Sequence, residues 1–105
     1  MNQEENFKEM AKRNDTARQL GLNVVLTKKA AELPDTKELL YTVRSFNRFN
    51  QKDDPYGWHD LGYFDWKGQR VLWKIDYFDE QLKNFEDPLS DNCKRLVTIM
   101  LASEY

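Results

Sequence analysis

DDPYGWHDLGYFDWKGQRVLWKIDYFD, residues 53–79, is the stretch whose reading decides the fold. Its second half, Gln69 to Phe78, alternates Val71, Trp73, Ile75 and Tyr77 with Leu72, Lys74, Asp76 and Phe78. A period of two marks a β-strand. His59 to Trp66 reads as a partner strand, and Lys67-Gly68 between them is a two-residue hairpin turn, with Gly68 supplying the positive φ. That turn sets a register. Phe64 faces Val71, Gly62 faces Trp73, Tyr63 faces Leu72 and Asp65 faces Arg70. Glycine opposite an indole leaves room for the ring to lie across the strand. Carried outward, the register puts His59 beside Asp76, a structural pair expected to pin the open end of the hairpin. Trp73, Ile75, Phe64 and Val71 are the expected core, and Tyr56 and Trp58 the expected exposed rings.

Upstream, Phe7, Met10, Ala11, Asn14, Ala17 and Leu20 recur at helical spacing, which predicts a helix over 4–19 closed by Gly21. LNVVLT (22–27) reads as a short strand. Asp35 followed three residues later by Glu38 predicts a capping box, and Leu39, Leu40, Val43 and Phe46 extend that helix over 36–47. Downstream, Ser90 or Asp91 is a cap for a last helix carrying Cys93, Leu96, Val97, Met100 and Leu101 on one face. The predicted fold is α+β: a small antiparallel sheet with a central β-hairpin packed against helices, in the order α-β-α-β-β-α. Residues 1–105 read as a single domain, with 1–5 expected to fray.

A chain of 105 residues, 40% hydrophobic, can fill one core without disulfides, and its single cysteine, Cys93, allows no internal one. No apolar run is long enough to span a bilayer, so no membrane association is expected and the setting is expected to be cytoplasmic. A net charge of −2, with no basic stripe, argues against direct nucleic-acid binding.

The stretch 53–79 also gathers the chemistry: the only histidine, all three tryptophans and six aspartates. His59, Asp60, Asp76 and Asp79, with Asp53 or Asp54, are the candidate metal ligands. Adjacent strand residues point to opposite faces, which separates His59 from Asp60, and no CxxC, HxH or HExxH spacing occurs. No metal or other cofactor is therefore expected. His59 with Asp76 has the makings of an acid-base dyad, but no nucleophile is placed beside it, and P-loop, GxSxG and GxGxxG motifs are missing. No catalytic residue is assigned. The remaining reading is recognition, with Asp54, Tyr56, Trp58, His59, Asp60, Tyr63 and Trp66 as the binding candidates, since interfaces favour Trp and Tyr. Asn14, Asp15 and Arg18, at helical spacing, form a polar trio that either anchors the 53–62 loop by a buried Arg–carboxylate bond or faces solvent.

DDPYGWHDLG (53–62), WKIDYFD (73–79), EDP (86–88) and RLVTIMLASEY (95–105) resemble a bacterial family, domain-of-unknown-function family 3768. Its typical pattern looks like NDPYGEHDFG, WKIDYYD, SEDP and LTIMLASEY. Arg13-Asn14-Asp15 with Arg18, and Val43-Arg44 with Phe46, also fit it. The resemblance implies a small protein without assigned activity, common in alphaproteobacteria and often carried on plasmids and other mobile elements. Trp58 stands where that pattern has Glu before His-Asp, and Phe78 and Phe85 replace a Tyr and a Ser. The function expected is that of a non-enzymatic, protein-binding accessory protein of mobile genetic elements. A concrete version is an anti-defence inhibitor, anti-CRISPR or anti-restriction, in contact with a basic, nucleic-acid-binding host nuclease complex. The alternatives are a small metal-dependent or His-Asp enzyme centred on His59 and Asp76, and a structural homodimer joined through hairpin edges. The oligomeric state is expected to be monomer or homodimer.

Overall fold

The computed structural model describes residues 2–105. It is an α+β fold: helices α1 (Gln3–Leu20), α2 (Lys28–Ala31) and α3 (Thr36–Arg44), strands β1 (Val24–Leu26), β2 (Leu61–Trp66), β3 (Gln69–Phe78) and β4 (Lys94–Leu101), and a final 3-10 turn, Ala102–Glu104. Met1, part of the stretch expected to fray, lies outside the described residues. The rest of that stretch is ordered as helix from Gln3, where the Asn2 side chain accepts the Glu5 N–H at 2.8 Å and caps α1.

The hairpin has the register read from the sequence. Leu61 pairs with Lys74, Gly62 with Trp73, Phe64 with Val71 and Asp65 with Arg70. Trp73 is fully buried, and a Cβ added to Gly62 would lie 2.5 Å from its Nε1 and 2.7 Å from Phe46. Only glycine leaves that space. Trp73, Ile75, Phe64 and Val71 all lie in the core, joined by Leu39, Val43 and Phe46 from α3 and by Val97 and Ile99 from β4.

Three features differ from expectation. The predicted C-terminal helix is instead β4, the strand between β3 and β1. A run that is apolar almost throughout satisfies helical and strand periods alike, and a central strand buries such a run on both sides. Arg95, Val97 and Ile99 alternate toward the helices, while Leu96 and Thr98 point away. The sheet is also mixed rather than wholly antiparallel, because β1 runs parallel to β4. Finally, Asp35 does not cap α3. Its φ of 59° turns the carboxylate away from the helix and toward Lys67, 3.5 Å distant. Thr27, by contrast, caps the unanticipated α2 through its hydroxyl oxygen.

Helices α1 and α3 cover one face of the sheet. The opposite face, with Val25, Tyr63, Lys74, Asp76 and Phe78, is left largely open, although Leu72 there is sealed beneath the final turn. Among the described residues, no helix is long and apolar enough to cross a membrane.

Candidate functional site

Helix α1 presents two unusual residues to the sheet: Asn14 and Arg18, both essentially inaccessible to solvent. A buried amide is tolerated only when its donors and acceptor are used. Asn14 Nδ2 donates to the Trp58 carbonyl and to the Tyr77 hydroxyl, both at 2.9 Å, while its Oδ1 accepts from Arg95 Nε at 2.5 Å. Tyr77 in turn donates to Asp60 at 3.0 Å. One amide thus joins α1, the 53–60 loop and strands β3 and β4.

Burial raises the Asp60 pKa despite the Tyr77 hydrogen bond that favours its charged form. Burial also drives the Tyr77 phenol upward, and the Asp60 charge adds to that shift. On the cationic side, burial lowers Arg18, and Asp15, 3.2 Å from Nη1, opposes the shift. Arg18 Nη2 donates to the Phe46 carbonyl at 2.9 Å, and its guanidinium lies 4.6 Å from the centre of the Trp73 ring. The buried cation is thus held by a carboxylate, a carbonyl and an indole face, while its Nε is buried without a hydrogen-bond partner.

One turn from Arg18, Asp15 faces the loop. His59 Nδ1 lies 3.0 and 3.1 Å from its two carboxylate oxygens, so Nδ1 carries the proton and donates it. Nε2 faces Asp54, 3.9 Å away, and the ring stacks on Phe49 with centroids 3.8 Å apart and planes 2° from parallel. The backbone bends to achieve this: His59 has φ 58°, and its N–H donates to the Asp54 carboxylate at 3.2 Å. The β2–β3 ladder stops at Leu61, short of His59.

The expected His59–Asp76 clamp is therefore not formed. Strand parity was extrapolated one step too far, across a residue in left-handed conformation. His59 turns toward α1, and Asp76 pairs with Lys74 on the open face. The candidate ligand set disperses likewise. Asp60 belongs to Tyr77, while Asp79 accepts the Gln81 and Lys83 N–H groups of its own loop. Among the described residues, no group of three or more His, Cys, Asp and Glu side chains is placed to hold a metal ion.

The seven binding candidates separate into five settings. Asp54 is buried behind His59. Tyr56 and His59 border an open groove of about 690 Å³ between the loop and α1, whose helix side presents Phe7, Lys12 and Asp15, and Trp58 packs against Phe7 behind it. Tyr56 is 58% exposed, as expected. Trp58 is not. It is half-buried between Phe7, at 5.6 Å, and Tyr56, at 5.0 Å, because the first turn of α1 reaches over it. Asp60 is interior to the polar network. Tyr63 sits on the open sheet face beside Arg70. Trp66 folds to the helix side, where its Nε1 donates to the Pro34 carbonyl at 2.9 Å. Of the two readings of Asn14, Asp15 and Arg18, the structure has the loop anchor, formed by Asn14 and Asp15, while the Arg18 ion pair is to Asp15 of its own helix rather than to a loop carboxylate. Phe49 as the stacking partner of His59 was missed. The one available signal was Asn14 itself, an amide in the middle of an apolar stripe.

Residues 25–104 match the family described as a protein of unknown function, DUF3768, and the chain belongs to that family. No curated protein and no solved structure matches the chain.

Proposed function

We propose that the chain is a non-enzymatic, cytoplasmic protein-binding module that acts through the aromatic loop 53–59 and the adjoining hairpin edge. One observation carries this: Tyr56 stands exposed at the rim of the groove, on a loop that α1 holds by part-buried hydrogen bonds to Trp58 and His59. An aromatic ring presented on an immobilised loop loses little freedom on binding, which is what an anchor residue requires. In this reading the chain is an accessory protein of mobile genetic elements. Its partner is a basic, nucleic-acid-binding effector such as a host CRISPR or restriction nuclease complex, blocked by contact. The mild net acidity of −2 supports that choice of partner. The test is co-purification of the tagged chain from a bacterial host, paired with a phage or plasmid survival assay. The expected result is a nuclease component captured by the wild type and lost with Tyr56→Ala. Capture of no such component, together with no protection, sinks the reading.

A second reading is favoured by the Asp15–His59 pair beside the same groove: a small His-Asp or metal-dependent enzyme, centred on Asp15 rather than Asp76. Elemental analysis of purified protein separates the two. A stoichiometric transition metal lost in His59→Ala favours the enzyme. A metal-free protein in which His59→Ala lowers stability alone favours the binding module.

A further inference from the structure

The outer edge of the sheet carries information beyond the loop. β2 is a terminal strand, paired with β3 only. In an antiparallel ladder, alternate residues exchange hydrogen bonds with the neighbour and the others point away. Ile75 N donates to Asp60 O at 2.9 Å, which fixes the parity. Gly62, Phe64 and Trp66 face β3, and the backbone N–H and C=O groups of Leu61, Tyr63 and Asp65 face outward. No backbone hydrogen bond within the described chain reaches those outward groups. Beside this edge, on the helix side, lies a groove of about 300 Å³ lined by Tyr41, Ser45, Arg48, Phe64 and Trp66. Tyr41 there is 64% exposed.

We propose that this edge receives an extended strand from a partner protein, which adds to the sheet beside β2. Unpaired donors and acceptors at alternate residues bind backbone, and a pocket beside them selects alternate side chains. The pocket is aromatic with Arg48 and Asp65 at its rim, so the incoming strand places an aromatic or long aliphatic side chain there. Its neighbouring residues turn to the open face, where Asp65, exposed and paired on one side with Arg70 at 3.2 Å, keeps its second carboxylate oxygen for a Lys or Arg. A second copy of the chain does not fit. In a β2–β2 pairing, the helix-side residues of the other copy would be Gly62, Phe64 and Trp66, and Trp66 is already held by its Nε1 bond to the Pro34 carbonyl. Gly62 has no side chain, and Phe64 is 5% exposed within its own core. The pocket would stay empty.

This inference rests on the protein-binding reading and specifies its contact. The probe is a random peptide library displayed on phage, selected against the full chain. Selected peptides are expected to alternate apolar and basic residues. At saturation they slow hydrogen exchange at the Leu61, Tyr63 and Asp65 amides by about tenfold or more. Tyr63→Pro removes an outward N–H that β3 does not use and is expected to weaken these peptides by about tenfold or more. Leu22→Ala, an exposed position just before β1 at the other edge of the sheet, is expected to leave them unchanged. Should Tyr63→Pro fail to fold, the exchange measurement on the wild type decides alone. Failure to select any peptide, or selection of peptides that leave those three amides unprotected, overturns the proposal. Peptides lost with Tyr56→Arg but kept with Tyr63→Pro overturn the edge and leave the protein-binding reading standing. That broader reading fails by its own test, when host co-purification captures no effector. A concentration-dependent dimer in light scattering that disappears with Tyr63→Pro overturns the choice of occupant.

Discussion

The loops 53–60 and 79–93 are made of similar material: aspartates, asparagine or glycine, one proline and exposed aromatic surface. They are held in different ways. The first is tied from outside, by Asn14 to the Trp58 carbonyl, by Asp15 to His59, and by Tyr77 to Asp60. The first half of the second is tied by itself. Asp79 accepts the N–H groups of Gln81 and Lys83 and the Asn84 amide, and Leu82 closes the turn at φ 59°. Only its far half reaches the body, where Arg95 and Arg13 donate to the Pro88 and Leu89 carbonyls. Loop composition alone does not distinguish a loop whose order depends on the global fold from one that orders locally. The partners do.

Removing the shared amide is expected to break this contrast most severely. Asn14→Ala leaves Arg95 Nε, the Trp58 carbonyl and Tyr77 with unmet hydrogen-bonding groups, in a site closed to water. At about 1–3 kcal/mol for each stranded group, partly relieved by rearrangement, a loss of about 3 kcal/mol is expected in urea unfolding. Near-wild-type stability would show that water or a rotated Tyr77 replaces the amide, and that the 53–60 loop stands without α1.

His59→Ala is the next largest change. It removes the bond to Asp15 and the stack on Phe49, and it places a Cβ residue less tolerant of the left-handed region at φ 58°. A loss of about 1–2 kcal/mol is expected, with His59→Asn recovering part of it because Asn tolerates that backbone. Hydrogen exchange should rise at Trp58 and Asp60 and stay unchanged at Gln81 and Lys83. Equal effects in both loops would erase the distinction between them.

The acid response sharpens the contrast in sign. Asp60 has its pKa raised in the folded chain, so between the ordinary carboxylate value and that raised value the folded state binds more protons than the unfolded one. Its contribution to stability therefore falls as pH rises through this window and is constant above it. Asp79 is lowered by backbone N–H donors, so its contribution is present above the ordinary carboxylate value and is lost as pH falls toward the lowered one. Asp60→Asn keeps an acceptor for Tyr77 and is expected to make stability rise more steeply with pH across the Asp60 window. A parallel pH–stability curve in that variant would mean that Asp60 titrates normally.

Legibility followed the range of the interaction. The hairpin was readable to the exact pairing because turn chemistry and period-two alternation are local, and Gly62 opposite Trp73 is a packing requirement written into adjacent residues. The terminal strand was not, since LVTIML fits both periods and only its place between β1 and β3 decides. Asp15 and His59 are 44 residues apart, and no local pattern announces their pairing. What betrayed the site was a violation of local rules: Asn14 and Arg18 on the buried side of α1, where apolar residues belong.

Asp79→Ala carries the smallest expected effect and tests the self-contained half of the comparison. Its carboxylate is partly exposed and accepts only from its own loop, so its loss leaves no deeply buried group unmet, and the melting temperature should fall only slightly. The local consequence is larger. The Gln81 and Lys83 amides lose their acceptor and should exchange with solvent about tenfold faster or more. Asp79→Asn, which keeps one acceptor oxygen, should fall between. The Leu61, Tyr63 and Asp65 amides, which face solvent from the sheet edge, should not respond. If they do, or if the 53–60 loop loosens as well, then the two loops share one cooperative unit, and the coupling runs through Arg95 and Pro88 to Asn14.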